Sequence, residues 1–261
     1  LRAEAAVGGA APTLLLFDID GTLLGGASHA HSLAMREALR RVHGIEPTAV
    51  STPIDPAGRT DGEIARLLAL AAGVSAKRID ELAGAVREEC CRLYDELCPR
   101  DLSKTVLPGV AALLEALKRR ADVRLALLTG NFEPVARRKL SAAGLGEHFP
   151  AGQGAFGSDS EDRAALPAIA RRRAGSDGRP HPRERTIVIG DTPRDILCAR
   201  ADSLRCLAVA TGAYSAPELA GADAVAADAR ELGELLDRLL GEIPAHPPAV
   251  RQARGGTVPT G

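Results

Sequence analysis

The 261-residue sequence predicts an α/β protein: a parallel sheet with helices on both faces, plus a small all-helical cap. Three observations predict it. Short, continuously apolar runs alternate with helical patterns over most of the chain, as strands buried on both faces do. One stretch, residues 25–106, carries helical periodicity alone. Finally, Asp18, Thr129 and Asp191 each stand just after an apolar run, where ligands gather at the carboxyl ends of parallel strands.

Taken in order, Thr13–Phe17 reads as the first buried strand. Three helical patterns follow: Met35, Ala38, Leu39, Val42; then Ile64, Leu67, Leu68, Ala71; then Ile79, Leu82, Val86, Leu93. Thr60-Asp61-Gly62-Glu63 has the form of a capping box opening the second. Pro108-Gly109 marks the return to the sheet-bearing part. A helix through Val110, Leu113, Leu114 and Leu117 precedes a strand over Arg124–Leu128, and a weaker strand lies near Gly152–Phe156. Arg171-Arg172-Arg173 suits a helix C-terminus, where cations complement the dipole. Thr186–Gly190 and Arg205–Ala210 are further strands, and Leu232, Leu235, Leu236 and Leu239 form a last helix. Alternation of this kind implies right-handed crossovers. The expected division is a core over 13–24 and 107–241, a helical cap over 25–106, and disordered ends over 1–12 and 242–261.

Composition narrows the function classes. A hydrophobic content of 45% suffices for at least one sizeable core. With 33 Lys+Arg against 34 Asp+Glu, no basic field exists to hold nucleic acid or an anionic membrane surface. Two Tyr and no Trp also disfavour stacking platforms for single strands. No apolar run approaches the ~20 residues that span a bilayer, and Leu1–Pro12 lacks the layout of a signal peptide. Cys90, Cys91, Cys98, Cys198 and Cys206 have neither disulfide-framework nor zinc spacing, which fits reduced thiols in a cytoplasmic protein. His29, His31, His43, His148, His181 and His246 show no ligand spacing, so surface or loop positions are expected.

The candidate site starts at Asp18-Ile19-Asp20-Gly21-Thr22. Residues i and i+2 of a strand point the same way, so both carboxylates converge on one ligand. Close carboxylates repel unless a cation offsets them, and hard oxygen donors favour Mg2+. One acid then serves as nucleophile while the other handles protons. Asp20-Gly21 alone also fits a plain turn. Thr129-Gly130-Asn131 offers a hydroxyl and backbone N–H groups at a helix entrance, suited to a phosphate or simply to capping that helix. In Arg137-Arg138-Lys139, the arginines suit a solvated face, and Lys139 suits a cation turned back to the sheet edge. Gly190-Asp191-Thr192-Pro193-Arg194-Asp195 ends another strand in an acid, with a second acid in the next helix's first turn, where negative charge is favoured anyway.

Asp18-Ile19-Asp20-Gly21-Thr22, Leu128-Thr129-Gly130-Asn131, Lys139-Leu140 with Ala143-Gly144-Leu145, and Gly190-Asp191-x-x-x-Asp195 together resemble the four motifs of the haloacid dehalogenase superfamily. The resemblance runs from about Thr13 to Leu240 and implies that family's Rossmann-like core with a helical cap after the first motif. It implies Asp18 as the nucleophile that forms an aspartyl-phosphate, and Asp20 as the acid that protonates the leaving oxygen and then activates water. Thr129, Gly130, Asn131 and Lys139 would bind the phosphoryl group. Mg2+ would be held by Asp18, the Asp20 carbonyl and Asp191, with Asp195 binding or orienting that shell. Asp20 favours phosphate esters over the dehalogenase branch. Gly58-Arg59-Thr60-Asp61 resembles a cap segment of phosphoglycolate-phosphatase-like members, which gives Arg59 either the substrate's anionic part or an idle surface place. The expected activity is a phosphatase acting on a small soluble phosphorylated metabolite. A phosphomutase or phosphotransferase, and a non-catalytic phosphate-binding regulator, are the alternatives; oligomeric state and substrate identity stay open.

Overall fold

The computed structural model describes residues 11–46 and 54–242. The disorder expected over 1–12 and 242–261, like His246, therefore lies outside the described residues save for 11, 12 and 242. Six strands form one all-parallel sheet: β1 Thr13–Phe17, β2 Val123–Thr129, β3 Ala155–Phe156, β4 Thr186–Gly190, β5 Arg205–Val209 and β6 Ala224–Ala226. Their spatial order is β3-β2-β1-β4-β5-β6. The chain thus begins mid-sheet, builds outward one way through β2 and β3, then returns to build the other way from β4. That reversal opens a crevice at the carboxyl ends of β1 and β4.

Residue alternation explains the two covered faces. Leu14, Leu16, Ala126, Leu128, Val188, Cys206 and Ala208 point to one side, against α6 (Leu166–Ala174) and α7 (Pro193–Ala201). Leu15, Phe17, Leu125, Leu127, Ile187, Ile189 and Leu207 point to the other. There they meet α4 (Val110–Lys118), α5 (Glu133–Ala142) and α8 (Ala229–Glu242). In α8, Leu232, Leu236 and Leu240 recur every four residues and are buried along with Ala229. Both faces of every central strand are dry, which is why each reads as an unbroken apolar run.

Among the described residues, three α-helices separate β1 from α4: α1 His29–His43, α2 Asp61–Ala71 and α3 Ala76–Leu97. Thr60 caps α2 by accepting from the Glu63 N–H at 3.1 Å. The box is only half formed, because the Glu63 carboxylate pairs with Arg59 instead. The strands entering and leaving this helical unit run side by side, with Gly25 N–H donating to Thr105 O (2.7 Å) and Leu107 N–H to Leu23 O (3.0 Å). A paired crossing of this kind can act as a hinge.

Differences from the expected elements are local. β6 gave no strand signal because it is three residues long with one β-branched residue, Val225, between two alanines. β3 is two residues long rather than five. Arg137 is only partly solvated: it donates to Phe149 O (2.5 Å) and Gln153 O (3.3 Å), with its guanidinium 5.1 Å from the Phe156 ring centre. Among the described residues no helix is long and apolar enough to cross a membrane.

Candidate active site

Asp18 leaves β1 with its N–H bonded to Ile189 O of β4 (2.9 Å), so the first acid is fixed by the sheet itself. Asp191 follows β4, and Asp195 sits in the first turn of α7. The Asp195 carboxylate accepts from Thr192 N–H (3.0 Å) and Thr192 Oγ1 (2.7 Å), a reciprocal cap that locks its rotamer. Oxygens of Asp18, Asp191 and Asp195 all lie within 4.8 Å of one another, and all three residues are buried. Gly21 allows this convergence. It adopts φ +87°, and a Cβ there would lie 2.5 Å from Asp191 Cγ and 2.8 Å from its Oδ1.

Crowding these acids shifts their protonation. Burial pushes the Asp18 carboxyl up to about 7, reinforced by Asp195 and Asp20 against the pull of Arg163. Burial likewise pushes Asp191 up to about 8, with Asp18 and Asp195 adding repulsion while the Thr22 hydroxyl, 3.0 Å away, opposes it. Three buried carboxylates face one guanidinium here, leaving excess negative charge in a cluster of hard oxygen donors. A divalent cation fits that donor set.

The cation beside Asp18 is Arg163, a residue to which sequence reasoning gave no role. Its Nη2 donates to Asp18 Oδ1 at 3.2 Å and also to Asp195 Oδ1, and the side chain is buried. Its signal in the sequence is faint. Arg163 follows Glu161-Asp162 in the turn that opens α6, a helix start where the dipole disfavours cations. An arginine there calls for an anionic partner elsewhere in the fold.

Lys139, expected from the sequence to bind the phosphoryl group, is held in this structure by Asp20 and Asn131 and is not among the cavity-lining residues. Fully buried in α5, its ammonium donates to both Asp20 oxygens (2.9 and 2.8 Å) and to Asn131 Oδ1 (2.8 Å). Asn131 Nδ2 donates to Asp20 Oδ2 at 3.1 Å, closing a triangle. Burial raises the Asp20 carboxyl, but Lys139 outweighs it and holds the group below the usual carboxylate range. Asp20 is thus outside the three-acid cluster, though its charge still acts on Asp18 and it lines the same cavity. Thr129, at the end of β2, is buried and accepts from Asn131 N–H (3.3 Å).

The cap reaches the site through Thr60 and Asp61. Asp61 N–H donates to Gly130 O (2.8 Å), and its Oδ2 accepts from Phe132 N–H (2.7 Å). His31 Nε2 lies 3.1 Å from the same oxygen; this histidine is buried in α1 rather than placed on a surface or loop. Arg59 lines the cavity, but its guanidinium is held by Glu63 and by Asp55 O (3.0 Å). The cavity between cap and core measures about 880 Å³. Asp18, Asp20, Thr129, Gly130, Asn131, Arg163 and Asp191 form its core-side wall.

Comparison with known proteins gives this architecture its place. A family model described as haloacid dehalogenase-like hydrolase matches residues 15–200. A Rhodospirillum rubrum phosphoglycolate phosphatase is 32% identical over 234 residues, covering 86% of this chain and 91% of that protein. The tyrosine-protein kinase PtkA of Mycobacterium tuberculosis is 30% identical over 207 residues, but the chain spans only 64% of its length. Among solved structures, a hydrolase from Pseudomonas syringae is 25% identical with a TM-score of 0.57, covering 87% of this chain and 98% of that one. With matching sequence, sheet order and clustered acids, the chain belongs to the haloacid dehalogenase-like hydrolases.

Proposed function

We infer that the protein is a Mg2+-dependent phosphatase that hydrolyses a small soluble phosphomonoester through an aspartyl-phosphate on Asp18. The observation that carries the reading is the buried trio Asp18, Asp191 and Asp195 beside Arg163 at the mouth of the β1–β4 crevice. Residues 25–106 serve as the cap and 13–24 with 107–241 as the catalytic core. The R. rubrum relative, a phosphoglycolate phosphatase, supports the reaction class.

In the first half-reaction an Asp18 oxygen attacks phosphorus, the ester P–O bond breaks, and Asp20 gives its proton to the departing alkoxide. In the second, water attacks phosphorus, Asp20 takes the proton, and the Asp18–phosphorus bond breaks to release phosphate. Asp18, Asp191, Asp195 and the Asp20 carbonyl would hold the Mg2+, which offsets acid repulsion and polarises the phosphoryl oxygens. Arg163, Thr129 and the Gly130-Asn131 backbone line the cavity with Asp18 and would offer donors to the phosphoryl oxygens. The Lys139 pair favours ionised Asp20, which suits the base role in the second half-reaction and opposes the acid role in the first, so Asp20 must take up a proton from solvent against that pull before the ester bond breaks. Arg59, tied to Glu63, is free for substrate only if that pair opens.

A phosphotransferase is the second reading, favoured by the kinase relative. Release of free phosphate separates the two. Five free cysteines, four of them buried, fit a cytoplasmic setting. The test is a screen of phosphorylated metabolites with Mg2+ and with chelator, using Asp18→Asn as control. Phosphate release that depends on both the metal and Asp18 supports the reading; release that survives both removals overturns it.

A further inference from the structure

We propose that the site selects phosphomonoesters of a bulky, largely apolar alcohol rather than of a two-carbon acid, an inference that rests on the phosphatase reading above. The cap is already docked in this structure. Asp61 is bonded across Gly130 and Phe132, Thr60 Oγ1 donates to Glu161 O (2.6 Å), and Arg194 donates to Ala57 O (2.6 Å). Arg66 of α2 is paired with Glu161 as well. Even so, a cleft of about 880 Å³, partly open to solvent, remains between cap and core, near the upper end of cavities that hold drug-sized molecules.

The reacting groups occupy one wall of that space. The facing wall carries an apolar patch, Met35 and Leu39 of α1 and Ile64 and Leu68 of α2, two i,i+4 pairs each on one helix face, joined by Ile45 and Ile54; the polar His31 and Asp61 beside it are paired with each other. Neither cap-side arginine supplies a buried partner for a substrate carboxylate, since Arg36 is exposed and Arg59 is tied to Glu63. A two-carbon substrate would leave most of a volume equal to about thirty water molecules filled with solvent. Closing the cap over it would then fail to dry the reacting phosphoryl group. An apolar body against α1 and α2 fills the volume and displaces that water.

The experiment measures kcat/KM for n-alkyl phosphates from methyl to octyl, 1-naphthyl phosphate and 2-phosphoglycolate. It compares the natural protein with Ile64→Trp and the milder Leu68→Phe, neither of which touches the reacting groups. The proposal predicts a rise of up to about fourfold per added methylene until the wall is covered. It also predicts at least tenfold preference for the naphthyl ester over 2-phosphoglycolate. Ile64→Trp or Leu68→Phe should lower the ratio of octyl to methyl phosphate kcat/KM at least tenfold. A flat alkyl series, or 2-phosphoglycolate in the lead, overturns the proposal while the phosphatase reading stands. No turnover of any ester, short ones included, overturns both.

Discussion

Gly130→Ala tests whether the docked cap is the working state. The added Cβ would lie 2.8 Å from the Arg59 carbonyl carbon and 2.9 Å from Thr60 Cα, and closer still to Arg59 O. All three are backbone atoms, so no side chain can swing aside. Cap or loop must retreat by about 1 Å, which breaks or badly strains hydrogen bonds that now measure 2.8 Å (Asp61 N–H to Gly130 O) and 2.7 Å (Phe132 N–H to Asp61 Oδ2). One is neutral and the other accepts on a carboxylate, so together they contribute about 2–4 kcal/mol to docking. Loss of that contribution, or a comparable misplacement of the Thr129–Asn131 donors, lowers kcat/KM by about 30- to 900-fold. Neither core loses a contact, so the melting temperature should change by only a few degrees. The assay is steady-state phosphate release beside a thermal melt. Activity within threefold of the natural protein refutes the reasoning, and so does a collapse of the melt, which would place the clash in a core.

Other predictions follow from the charges in the site. In the metal-free protein Asp18 and Asp191 titrate at about 7 and 8 instead of 3.8, so the folded state binds protons that the unfolded chain has released. Their contribution is full below about pH 4 and is lost as pH rises through 7 to 8. Mg2+ competes with those protons, so its stabilising shift in melting temperature should be larger at pH 8.5 than at pH 5.5; an equal or larger shift at pH 5.5 contradicts the assignment. Arg163→Met leaves Asp18 and Asp195 without their guanidinium and should cost about 3 kcal/mol in metal-free denaturant unfolding, with Arg163→Lys recovering part of it. Lys139→Met removes the cation that holds Asp20 low, so the Asp20 limb of the pH–rate profile should move to higher pH. An unmoved limb would show that Lys139 does not govern that proton.

The sheet was legible because its central strands are buried on both faces, so Leu14-Leu15-Leu16-Phe17 and Ile187-Val188-Ile189 carry no polar interruption. β6 escaped because three alanine-rich residues at a sheet edge look like loop. The acids were legible for a topological reason: parallel strands bring their carboxyl ends together, so Asp18 and Asp191 can be paired without knowing any contact. Partnerships set by long-range folding were not legible. Arg163 meets Asp18 across 145 residues of sequence and Lys139 meets Asp20 across 119, and neither spacing leaves a local signature. The same holds for His31, whose burial depends on Asp61 of a different cap helix. Arg59 sits by the cavity, yet its neighbour Glu63, one helical turn on, claims its charge.

The covalent step offers the most direct test of the account. Enzyme supplied with substrate and Mg2+ is quenched during turnover, reduced with borohydride, digested and mapped by mass spectrometry. The account predicts homoserine at position 18, the reduction product of an acyl phosphate there, and none without Mg2+. Turnover that leaves the residue 18 carboxylate unmodified while label appears on another side chain, or on none, would contradict it.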